Sequence, residues 1–377
     1  INAIVNTSDI TYTLSENIVS WYVAYYSKSL TPGAGNSVYQ LSGTELQSGT
    51  NKSLLTPPTL TNDAIYTIVI SGTDAAGNNG NATLSNITFN DIPPKFTILL
   101  PTSGDNINYQ NVWYTLSKNI ASGTVTYTRT GGTAGSNVIH NLIGADLIAG
   151  VNKNLSDPKP TLVSGTKYDI VISGVDAATN TGSDTVTGVT FDNIPPEITI
   201  NAPSNSATVN TSNITYTLSK NIFTGSVTFT RKNGSTADNV TYNLVESQLN
   251  AGTSTLTNPA TLVDGAIYDI VINGTDDFGN IGTSSAITIT FITPSFTNIT
   301  PGRGAFVNTS SVIYTLNEDI TTGSITYTRT NGTAASNVTY NLGGDQLKAG
   351  TTTISNPVTF VVGGVFFFSF CGSVSGG

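Results

Sequence analysis

LVSGTKYDIVISG, from Leu162 to Gly174, places apolar side chains at every second position: Tyr168, Ile170 and Ile172 share one face, with Asp169, Val171 and Ser173 between them. A period of two over this length is that of a β-strand with one face buried. Upstream, Leu162 precedes the polar pair Ser164 and Gly165, the chemistry of a tight turn. The same order, Leu then turn then Tyr then alternating strand, recurs as LTNDAIYTIVISG from Leu60 and LVDGAIYDIVING from Leu262.

The recurrence extends over the whole chain. YTLSKNI stands at Tyr114 to Ile120 and again at Tyr216 to Ile222, with YTLSENI at Tyr12 and YTLNEDI at Tyr314. Further landmarks keep the same order: Val23, Val125, Val227 and Ile325; Leu41, Leu142, Leu244 and Leu342; Tyr66, Tyr168, Tyr268 and Phe366. Self-similarity at a fixed spacing marks a duplicated structural unit. ITYTL at Ile214 alternates apolar and Thr, as half-buried antiparallel strands do, and Gly, Asn and Asp punctuate the strands. No long window carries a helical period. About seven short strands per unit predict an all-β fold of two-sheet sandwiches, four in tandem, over residues 1–92, 93–194, 195–293 and 294–377.

The Leu-turn-Tyr pattern resembles the tyrosine corner of immunoglobulin and fibronectin type III sandwiches, which implies that the hydroxyls of Tyr66, Tyr168 and Tyr268 bond back to upstream backbone. The turns GTDAAGNNG, GVDAATNTG and GTDDFGNIG, with FNDIPP and FDNIPP at the unit ends, resemble the Ig-like repeats of large bacterial surface proteins and giant adhesins. That resemblance implies tandem Ig-like β-sandwich domains on an extracellular, cell-surface protein. It also implies Ca²⁺ at the junctions, through Asp74 with Asp91 and Asp176 with Asp192. The competing expectation is that Asp74 and Asp176 only form Asx turns. Pro93, Pro94, Pro195 and Pro196 stiffen the junctions.

Tyr114 and Tyr216 follow their prolines by the same interval, whereas Tyr12 has only 11 residues before it, so the first unit is expected to lack part of its first strand. The fourth has no counterpart of GTSSAITITF. The sequence reads as a window on a longer array, with filament subunits joined by strand exchange as the alternative. The tail FFFSFCGSVSGG keeps the aromatic shapes of its siblings without their acids, and Cys371, the one cysteine, is assigned no chemistry.

Composition narrows the function. Only 10% of residues are charged, and 14 Lys and Arg against 23 Asp and Glu give a net charge of -9, which offers no field for phosphates or anionic membranes. Val358 to Cys371 is strongly apolar but too short to span a bilayer. The single histidine, His140, stands where siblings carry Tyr242 and Tyr340, and Asp146, Glu246 and Asp345 are scattered, so no catalytic residues are assigned. Sequons such as Asn81, Asn154 and Asn239 allow glycosylation.

The expected function is a non-catalytic stalk or fibre segment of a surface adhesin or filament, with neighbouring repeats as partners. The alternative is a module that binds glycans or proteins. For it the first unit offers WYVAYY, in which Val23 and Tyr25 are core while Trp21, Tyr22 and Tyr26 remain for ligand or inter-domain contact.

Overall fold

A computed structural model describes residues 3–29, 31–132, 135–233, 239–331 and 337–373. Among these, regular structure is strand, joined by 3₁₀ turns at Gly43–Leu46, Gly144–Leu147, Glu246–Leu249 and Gly344–Leu347. The chain divides into two compact units, Ile1–Asn193 and Ile194–Gly377. Each holds two separate hydrophobic cores.

The second core of the first unit shows the plan most completely. Three strands, Gly150–Asn154, Trp113–Leu116 and Phe96–Leu100, form one sheet. Five form the other, in the order Val138–Asn141, Ser122–Gly132, Thr166–Val175, Thr181–Phe191 and Asn106–Ile107, the last pair parallel. Alternation sends Tyr114 and Leu116 from one sheet, and Val125, Tyr168, Ile170 and Ile172 from the other, into a shared core. This is the two-sheet sandwich expected from the period-two pattern. Removing a side chain such as Leu116 would cost about 2–5 kcal/mol in transfer and cavity terms.

The tyrosine corner is present in three copies. Thr61 N–H donates to Tyr66 Oη at 3.0 Å, Val163 N–H to Tyr168 Oη at 3.3 Å, and Val263 N–H to Tyr268 Oη at 3.1 Å. Buried phenols are satisfied elsewhere too: Tyr127 Oη donates to Gln110 O, and Tyr327 Oη to Ser310 O.

The copies differ at their edges. Around the first core, among the described residues, Tyr12–Leu14 pairs with Gly49–Lys52 in a smaller sheet of two strands. Around the fourth core, Phe366–Ser373 runs along Thr322–Arg329 and the larger sheet has three described strands. There Phe370 packs 4.9 Å from Phe296 and 5.6 Å from Tyr314, ring centroid to centroid. Residues 374–377 of the divergent tail lie outside the described residues.

Candidate functional site

Six of the seven letters of YTLSKNI have an identifiable structural task. Tyr114 is buried and donates its hydroxyl to Asp146 O at 3.2 Å, tying the strand to the 3₁₀ turn, and Leu116 fills the core. Ser117 clamps the neighbouring strand twice: its N–H donates to Lys95 O at 3.0 Å and its Oγ accepts from Lys95 N at 2.8 Å. Asn119 Oδ1 accepts from Ala149 N at 2.8 Å, and Ile120 N–H donates to Leu147 O at 2.9 Å before its side chain re-enters the core. The second unit repeats these contacts through Tyr216 to Gln248 O, Ser219 to Glu197, Asn221 to Ala251 and Ile222 to Leu249.

Lys118 is the letter that reaches beyond its own sandwich. Its Nζ donates to Asn90 Oδ1 at 2.8 Å, to Ile92 O at 2.9 Å and to Asp176 Oδ2 at 2.8 Å. Asn90 and Ile92 follow the last strand of the first core, Asn79–Phe89, whereas Asp176 sits in the turn after Thr166–Val175 of the second. One ammonium therefore joins the two. Asn180 adds a second tie, donating through Nδ2 to Asn90 O at 2.8 Å, and Asn6 Nδ2 donates to Thr179 Oγ1 at 3.3 Å. Gly182 lets the linker pass: a Cβ there would lie 1.7 Å from Pro94 O.

The Asp176 side chain is only 4% exposed, against 24% for Lys118. Burial pushes its pKa up, but hydrogen bonds from Lys118 and Asn180 outweigh that and hold it below the usual carboxylate range. Its Oδ1 accepts from Ala178 N and Asn180 N, so the carboxylate is saturated by its own turn and one lysine. The second unit repeats the ion pair, with Lys220 Nζ 2.8 Å from both Asp276 Oδ2 and Ile194 O.

This geometry does not fit the calcium expectation at Asp176, because an ammonium already sits on the oxygen a cation would take. Asp74 uses both oxygens within its own turn, accepting from Ala76 N, Asn78 N and Asn78 Nδ2. Asp91 is exposed and enters by its backbone, donating N–H to Asn62 Oδ1, as Asp192 does to Ile107 O. Among the described residues no group of three or more His, Cys, Asp or Glu side chains could hold a metal.

At the start of the last core the lysine position is Glu318. Burial first, and the charge of Asp264 second, raise the Glu318 pKa above the usual range, and its Oε1 is buried without a partner.

The aromatic trio of the first core is divided. Tyr22 and Tyr26, 36% and 41% exposed, lie on the outer face of their sheet with the fully buried Ala24 between them. Trp21 packs against the core on the inner face. His140 is buried opposite Val125 in the aromatic position of its siblings. Sequence reasoning missed Lys118 as a functional residue; its invariance between the two identical heptapeptides was the available signal.

No protein-family model and no curated protein matches the chain. Among solved structures it is similar to a tetra-tandem repeat in the extending region of a large adhesion protein, at 16% identity, covering 98% of this chain and 95% of that one, with a TM-score of 0.27. It is similar to a 1.5-MDa bacterial ice-binding adhesin at 16% identity, 77% and 95% coverage and TM-score 0.26. The FN1-FN3 domains of chicken CNTN1 match at 10% identity, 77% and 96% coverage and TM-score 0.28. The account of function rests on the joint.

Proposed function

We propose that the chain is a non-catalytic spacer, a stalk or fibre segment of a secreted or cell-surface adhesin or filament, built of four Ig-like beads over 1–92, 93–194, 195–293 and 294–377. The observation that carries this reading is the Lys118 bridge. A lysine of the second repeat ties the exit of the first sandwich to the entry of the second, and the third repeat carries the matching Lys220–Asp276 pair. An array that copies its joint together with its core extends by addition. Its uncharged Thr and Asn surface suits an extracellular location, and its partners are neighbouring repeats.

Four beads in line, each about 40 Å from strands of roughly ten residues at 3.3 Å, would reach on the order of 150 Å. Small-angle scattering of the full chain should give a maximum dimension near that length. A compact particle of less than half that length would refute the spacer. The glycan-binding alternative has less support, since the structure divides Trp21 from Tyr22 and Tyr26.

A further inference from the structure

Lys118 Nζ lies 2.8 Å from Asn90 Oδ1 and 2.8 Å from Asp176 Oδ2, so one amine faces a carboxamide and a carboxylate together. The carboxamide is fixed at both ends. Its Oδ1 also accepts from Ile92 N–H at 3.2 Å, and its Nδ2 donates to Asp63 Oδ1 at 2.8 Å. The backbone of the same residue is tied down as well: Asn90 N–H donates to Val5 O at 2.8 Å, and Asn90 O accepts from Asn180 Nδ2 at 2.8 Å. A nucleophile, a proton acceptor against it and a polarised carbonyl beside both are the parts of an acyl transfer.

We infer that Lys118 and Asn90 form a modification site, at which the lysine amine displaces ammonia from the side-chain amide and joins the first two sandwiches covalently. The structure shows the groups before that bond forms. Asp176 takes a proton from the ammonium, and rotation about Cε–Nζ turns the freed lone pair toward Asn90 Cγ. The Nζ–Cγ bond forms as the carbonyl π pair moves onto Oδ1, where the Ile92 N–H stabilises the developing charge. Asp176 then gives its proton to Nδ2, the carbonyl re-forms and the Cγ–Nδ2 bond breaks. Ammonia leaves, carrying off as ammonium the proton that Nζ sheds on becoming an amide nitrogen. The products are one secondary amide and one ammonium ion, with no change of oxidation state.

The uphill step is the first. A lysine and an aspartate in water differ in pKa by about 6 to 7, so the neutral pair is rare. Against this, an amide fixed beside its nucleophile is worth an effective molarity on the order of 10⁵–10⁸ M. The contacts that keep Asp176 charged make the reaction slow, but it needs to run only once per chain. In the sequence of the second joint Asp192 stands where the first has Asn90, so loss of ammonia belongs to the first joint. The inference rests on the geometry of this joint and not on the spacer reading, and a joint that stayed unreacted would leave the length of the chain unaltered.

The test is the intact mass of the full chain, folded and then held at neutral pH for several days. The expected result is a chain lighter than its sequence mass by one ammonia. Trypsin should release a branched peptide joining residues 53–95 to residues 96–129, with no cleavage after Lys118. Asp176→Asn should slow the loss by about 10²–10⁴-fold, and Lys118→Arg, which keeps the positive charge, should stay at its own sequence mass. Far-UV circular dichroism checks that both variants fold; if they do not, the unsubstituted chain decides alone. An unchanged mass of the unsubstituted chain would overturn the inference. So would loss of ammonia on the linear 53–95 peptide alone, the mark of Asn90 cyclising onto its own backbone, or loss from Asp176→Asn at the unsubstituted rate.

Discussion

The hydroxyl of Tyr168 accepts a backbone N–H five residues upstream while its ring is buried. Tyr168→Phe removes one hydrogen bond and leaves the part-buried Val163 N–H unsatisfied, which should destabilise its sandwich by about 1–2 kcal/mol in chemical denaturation. His140 gives a second prediction. Burial holds its pKa below 6.5, so the unfolded chain takes up a proton at a higher pH than the folded one. The stability that neutral His140 allows is present above pH 6.5 and is lost as the pH falls through that value toward the folded pKa. The denaturant midpoint of its sandwich should fall over this range, and His140→Tyr, which restores the sibling residue, should abolish the fall.

At the scale of the element, YTLSKNI is a strand and its exit turn, and its serine, lysine and asparagine all bond outside the strand. Glu318 breaks the pattern. Its raised pKa means that it stabilises the fold when protonated, and this contribution is lost as the pH rises through the folded value. Glu318→Lys should therefore raise the unfolding midpoint at pH 7 and bring Asp264 an oppositely charged neighbour, which differential scanning calorimetry would show. Strands were legible because alternation is local: Ile214, Tyr216 and Leu218 declare their face within five residues. The tyrosine corners were legible too, since Tyr and its partner lie close in sequence. Lys118 read as a turn residue, and Asp176 as an Asx-turn residue or a calcium ligand, because a separation of 58 positions hides the pair; only the sandwich brings them within 2.8 Å. Trp21 read as a surplus surface aromatic for a similar reason, since its place over Gly72 depends on strand register.

On the scale of the whole molecule, the first two sandwiches each have their own core and share a joint built by Lys118. Two charged groups taken mostly out of water are costly unless hydrogen bonds complete them, and Lys118, Asp176, Asn180, Asn90 and Ile92 together supply those bonds. Removing the ammonium would leave Asp176 buried with only its turn to hold it, at a cost of about 1–2 kcal/mol given the partial exposure of Lys118. Asn180 to Asn90 and the Asn6 contact would then remain among the described residues.

The central claim is that a lysine holds this joint. Spin labels at Val38 and Ile139, with Cys371→Ser removing the native thiol, would report the distance between the first two sandwiches. The account predicts a narrow distance distribution that a chelator leaves unchanged and Lys118→Met broadens. Broadening by the chelator, with no effect of Lys118→Met, would contradict it.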